Sequence, residues 1–184
     1  MKLSQLVRFV AATCLILALS ACVSGEGKTV GSTTSPNAEV SEEHPLDARG
    51  VTACSVLGSE QLAKAGMDSG SAVDGSNAIA TSCTWTAVDR TGAINLVINV
   101  NNSLELIAAP RREMKSFTDF TLRGLPAVRE GSQESSICTV YVQIAPSQVF
   151  VVEASTHSAD LSVRPCEIAE HTASAVIDSL SSRS

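Results

Sequence analysis

The chain has 184 residues, a formal net charge of −6, and is 44% hydrophobic but only 3% aromatic. Its 13 Lys and Arg against 19 Asp and Glu argue against nucleic acid, whose phosphates call for clustered cations, and against electrostatic adhesion to anionic lipid. That length holds one domain and a tail.

The first element is a short export-type segment. Lys2 and Arg8 give a positive start, and Phe9 to Ala21 is apolar apart from Thr13 and Ser20. Such a run, closed by small residues, describes a secretory signal. Leu19, Ser20 and Ala21 before Cys22 have the form of a bacterial lipobox, in which the cysteine is acylated and becomes the mature N-terminus. The alternatives are an uncleaved anchor, or a signal cut elsewhere that leaves Cys22 a plain thiol. A spanning helix needs about 20 apolar residues, yet polar sequence begins at Ser24. Two acyl chains at Cys22, at about 0.8 kcal/mol per buried methylene, make a stable anchor. The expected organisation is a signal over 1–21, a lipidated N-terminus and tether over 22–46, and one folded domain over 47–184, held at the extracytoplasmic face of a cell membrane. Removal of the signal takes Lys2 and Arg8 but no acid, so eleven cations face 19 acids and the charge becomes −8.

Val23 to Pro45 is rich in Gly, Ser, Thr, Pro and Glu and cannot bury enough surface to offset its ordering entropy. About 24 residues of such chain span roughly 25–30 Å. His44 lies in this tether. In the domain, Ser59 is the predicted cap of a short helix with Leu62, which Gly66 can end. A Gly/Ser/Asp-rich loop from Asp68 to Asn77 follows, without the spacing or Lys of a P-loop. Residues 82–88 and 93–101 then read as a hairpin around Asp89 to Gly92. Ile94, Leu96, Ile98 and Val100 share one face of its second strand, and Asn95, Asn99 and Asn101 the other.

Ser103 is the predicted cap of a helix through Leu104, Leu106, Ile107 and Ala108, interrupted at Pro110 unless a new turn begins there. Arg111 to Lys115 is a local basic cluster, either a solvated helix face or a partner contact. Gly124 to Val128 reads as a turn that delivers a strand at 127–130. Residues 137–144 and 149–155 form a second hairpin, with Cys138, Val140, Val142 and Ile144 pointing inward. The final helix starts with Pro165 in its first turn and carries a stripe of Ile168, Ala169, Thr172, Ala173, Val176, Ile177 and Leu180. Together these elements predict an α+β fold: an antiparallel sheet of about four to five strands, helices packed on one face, and two disulfides.

Six cysteines are present. Cys14 leaves with the signal and Cys22 is consumed by lipid, so Cys54, Cys83, Cys138 and Cys166 remain, an even set in an exported domain. Of three connectivities, Cys54–Cys83 and Cys138–Cys166 are favoured, because each ties a helix start to a nearby strand. Each closes a loop of about 30 residues and contributes roughly 3–4 kcal/mol in the chain-entropy model. The C-x2-C spacing of a tetrathiolate metal site is absent, and no metal or cofactor is expected.

In its order of motifs the chain resembles the actinobacterial lipoproteins grouped as domain of unknown function 3558. The matching residues are Cys54 with Leu57 and Leu62, Cys83-Thr84-Trp85, Gly124-Leu125-Pro126-Ala127, Cys138, and Pro165-Cys166 with Ala169. They span nearly all of 47–184. Thr52-Ala53-Cys54 stands where that family often has Asp-Pro-Cys. The resemblance implies an envelope lipoprotein and supplies no catalytic residues.

No catalytic constellation emerges from the residues. His44, His157 and His171 are scattered, and no Gly-x-Ser-x-Gly elbow is present. His157 with Asp160 and Glu153 could hold a metal ion, against the simpler reading of a solvated loop. Trp85 is either core beside Cys83 or a stacking platform for a ligand. The favoured expectation is a non-catalytic envelope module that binds an unknown protein or cell-wall partner through its sheet face, with Asn95 and Asn99 as candidates. The alternative is a carrier or sensor of a small apolar ligand held between helices and sheet.

Overall fold

The computed structural model describes residues 46–114, 116–132, 134–157 and 164–183. The signal, Cys22, the tether with His44, and also Lys115 and Asp160 lie outside the described residues.

Among the described residues, seven strands form one antiparallel sheet, where about four to five were expected. They are β1 (Val73–Asp74), β2 (Thr81–Thr86), β3 (Gly92–Asn99), β4 (Phe117–Leu122), β5 (Leu125–Glu130), β6 (Ile137–Ala145) and β7 (Gln148–Thr156), in the order β1-β2-β3-β7-β6-β5-β4. Both extra strands are edges. β1 is two exposed residues inside the polar loop. β4 mixes Thr and Asp with Phe and Leu, because its outer side has no strand to pair with. The Gly124 turn leads back into the sheet from β4: Arg123 and Gly124 both take positive φ, 52° and 81°, as a two-residue hairpin loop requires. Pro126 stands one residue before the β5–β6 ladder begins at Ala127, so its missing N–H interrupts nothing there.

One sheet face carries the main core. Alternation turns Cys138, Val140, Val142 and Ile144 of β6 and Phe150 and Val152 of β7 inward, all fully buried. They meet α3 (Pro165–Ser181), whose Ala169, Ala173, Val176, Ile177 and Leu180 are buried. The short helix α1 (Ser59–Lys64) adds Leu62 to the same core. It starts one residue earlier than its sequence suggested. Gly58 is the cap, and Gln61 Oε1 accepts the Gly58 N–H at 2.8 Å. Gly66, at φ 76°, ends it.

The helices do not share one face, as expected, but occupy both. α2 (Leu104–Ala108), capped by Ser103 Oγ accepting from the Leu106 N–H, packs Leu104 and Ala108 on Val128, Tyr141 and Val149. Those three alternate with the main-core residues, so α2 lies on the opposite face. A tight turn at Ala109–Arg111 with Pro110 in its first positions continues from α2.

The disulfides are Cys54–Cys83 and Cys138–Cys166, the favoured pairing. The first ties the turn Ala53–Ser55 to β2; the second ties the start of β6 to the first turn of α3. A third fastening is a buried glutamine. Gln148 Oε1 accepts the Ala48 N–H at 2.8 Å and its amide donates to Asp47 at 3.1 Å, pinning the start of the domain to the β6–β7 hairpin.

Among the described residues, one core hydroxyl is left unsatisfied. The Thr172 hydroxyl on α3 is buried without a hydrogen-bond partner. A buried hydroxyl without a bond costs roughly 1–3 kcal/mol. Thr172→Val removes it at nearly constant shape and is expected to raise the unfolding free energy by about 1 kcal/mol in urea titration. A lower midpoint would mean that the hydroxyl is bonded in solution.

Candidate functional site

The sheet face opposite α3 is only partly covered by α2. The uncovered part is a groove of about 470 Å³, lined among others by Asn95, Val97, Glu130, Ile137, Thr139, Tyr141, Val151 and Glu153. Strand register explains its composition. Thr84 pairs with Asn95, Asn95 with Glu153, Glu153 with Thr139, and Thr139 with Glu130. One polar row thus crosses β2, β3, β7, β6 and β5 side by side, on the face where period-two alternation puts all five residues. The next row, two residues along, is apolar at Val97, Val151, Tyr141 and Val128. On its other side stand Ala93, Ser155 and Ile137.

One wall is a closed electrostatic network. Glu130 Oε2 accepts from the Tyr141 hydroxyl at 2.7 Å and from Arg111 at 2.7 Å, and Arg111 also donates to the Tyr141 oxygen at 2.6 Å. The Arg111 guanidinium lies 5.9 Å from the Tyr141 ring centre, and Phe117 packs at 6.3 Å. Burial, followed by the hydrogen bond to Glu130, pushes the Tyr141 hydroxyl far above the ordinary tyrosine range. The Glu130 bond holds the Arg111 guanidinium protonated more firmly still. Tyr141 is therefore a fixed donor with no basic character near neutral pH. Arg112 bonds both oxygens of Asp119 at 2.6 Å and Glu105 at 2.9 Å, which tacks α2 to β4. In the basic cluster both arginines are thus spent within the fold.

The rest of the polar row is not spent. Thr139 is 8% exposed, and its hydroxyl makes no hydrogen bond among the described residues. Asn95 Oδ1 accepts only from Thr84, at 3.3 Å. Glu153 is exposed and has no ion-pair partner among the described residues.

Of the residues singled out by sequence, Asn95 lies in the groove. Asn99 does not: its side chain closes a turn by accepting the Asn101 N–H at 2.9 Å at the end of β3. Trp85, 1% exposed, is main core and offers no ring face to a ligand. Glu153 and His157 are exposed near the end of β7, and the third member of that proposed group, Asp160, is outside the described residues. His171 is exposed on α3, across the sheet from the groove. Glu130, Thr139 and Tyr141 had no sequence signal as a site, and Arg111 stood out only as part of the basic cluster. Only the pairing of β5, β6 and β7 brings them together.

Comparison with known families gives a match over most of the chain. The model described as Protein of unknown function (DUF3558) matches residues 17–179. No curated protein and no solved structure matches.

Proposed function

This chain belongs to the DUF3558 family, and we propose that it is a non-catalytic binding module of the cell envelope. In this reading Cys22 carries the lipid that holds it to the extracytoplasmic face of the membrane, and the groove opposite α3 receives its partner. The observation that carries the reading is the polar row. A Thr139 hydroxyl that bonds no protein group, a Glu153 without an ion-pair partner among the described residues and the Asn95 amide line one groove, where they are open to a ligand. Between α3 and the sheet, by contrast, Phe150, Val152, Ala173 and Val176 pack into one buried core, which favours the groove over the apolar-carrier reading.

Affinity capture of the full-length protein from its own membranes separates the two parts of the proposal. Cys22→Ala is expected to move the protein from the membrane to the soluble fraction and to abolish fatty-acid labelling. Asn95→Trp fills the groove and is expected to leave the protein in the membrane while removing its co-purifying partner. An unchanged fraction for the first variant would reject the anchor; unchanged partners for the second would reject the groove.

A further inference from the structure

Resting on the groove reading above, we infer that the groove's ligand presents a primary ammonium on an aliphatic stem, as a lysine side chain or a free alkylamine does. The charge inside the groove sets the sign. Arg111 is neutralised by Glu130, which leaves the Glu153 carboxylate as the uncompensated group, so an anion would meet net repulsion. A sugar is disfavoured for a different reason. The one aromatic ring at the groove, Tyr141, is 5% exposed, with Phe117 and Arg111 already packed against it, so no ring face is free to stack on a pyranose.

The spacing of Glu153 and Thr139 fits an ammonium. Glu153 is flanked in register by Asn95 on β3 and Thr139 on β6. Directly paired residues hold their Cβ atoms about 4.5–5.5 Å apart. A nitrogen placed between two such acceptors reaches both at about 2.8 Å. The Glu153 carboxylate and the Thr139 hydroxyl oxygen thus offer acceptors to two of the three N–H bonds, and water in the open groove meets the third. Thr139 adds to this: the residue is only 8% exposed, yet its hydroxyl bonds no protein group among the described residues and is open to the groove. Val97 and Val151 in the adjacent row, with Ile137 on the other side, supply apolar ground for the stem.

Calorimetric titration of the full-length protein in uncharged detergent micelles tests this with four probes: Nα-acetyl-lysine methylamide, its Nε-acetylated form, the corresponding glutamate derivative, and 1,5-diaminopentane. The lysine derivative is expected to bind roughly tenfold more tightly than its acetylated form, with the glutamate derivative weaker still. Glu153→Gln is expected to erase that preference without shifting the thermal midpoint, and Asn95→Trp to abolish binding. Stronger binding of the lysine derivative than of the diamine assigns the ammonium to a polypeptide partner; the reverse assigns it to a small amine. Equal affinity for the lysine derivative and its acetylated form, or an unaltered preference in Glu153→Gln, overturns the ammonium inference. If Asn95→Trp still removes the captured partner in that case, the groove reading stands without it.

Discussion

Replacing Trp85 with alanine is expected to lower the unfolding free energy by about 3–5 kcal/mol, the range for truncating a buried large aromatic residue. Trp85 is the chain's one tryptophan and heads the fully buried side chains by volume. It sits on β2 two residues after Cys83, opposite Ile94 of β3, in the core that also holds Leu62 and Met67. Around it the core is built mainly of Val, Ile, Leu and Ala, whose short side chains cannot lean far into the space left behind. Most of the cavity would persist, which places the cost in the upper part of the range. For a single domain stable by about 5–15 kcal/mol, that is a large share. Trp85→Phe keeps part of the volume and should lose less. Urea titration at fixed pH checks both. A loss below about 1.5 kcal/mol for alanine would show a core able to collapse onto the site.

The second large effect comes from the disulfide at the other end of the sheet. Replacing Cys138 and Cys166 together by alanine is expected to cost about 3–4 kcal/mol, from loop closure across their sequence separation of 28. Both cysteines are fully buried, and the bond holds the first turn of α3 on the start of β6. The chain is fitted closely around it. A Cβ at Gly131, where φ is 128°, would stand 3.2 Å from Cys138 Sγ and 2.9 Å from the Ile137 oxygen. Because the bond acts mainly on the unfolded ensemble, the double variant should also show a steeper dependence on denaturant. Its helix stripe, from Ala169 to Leu180, remains able to seat α3. A change below about 1 kcal/mol would mean that packing alone confines this loop.

Much of the fold was legible where the signal is local. The two hairpins announced themselves by alternation around short polar loops, and β6 and β7 lie within a residue or two of their predicted bounds. Pro165 and the stripe after it defined α3. Pairing each remaining cysteine with its nearer neighbour followed from helix starts lying beside strands. What escaped depended on partners distant in sequence. β4 alternates imperfectly, with Asp119 in its middle, because an edge strand need not bury a whole face. Its hairpin uses Arg123 at positive φ, where an Asn or Gly would have been the recognisable residue. α2 shows which of its residues are apolar, yet only Leu104 and Ala108 are buried, and its periodicity says nothing about which sheet face it covers.

The site was legible only in part for the same reason. Asn95 stood out as a polar residue on an ordered strand, and Asn99 stood out equally, although it serves a turn. Their difference lies in register: Asn95 faces Glu153, whereas Asn99 faces Val149 beneath α2. Thr139 is unremarkable as a letter in Ile-Cys-Thr-Val. It becomes a candidate only when β5 and β7 flank it and leave its hydroxyl facing the groove without a protein partner.

Site-specific photocrosslinking in the native membrane tests most directly whether the face opposite α3 is the working surface. A benzophenone side chain at Ile137, exposed at the rim of the groove, is compared with one at His171, exposed on α3 across the sheet. The account predicts a discrete crosslinked product from position 137, lost when Asn95→Trp is added, and none from position 171. A product from position 171 alone, or one from position 137 that survives a filled groove, would contradict it.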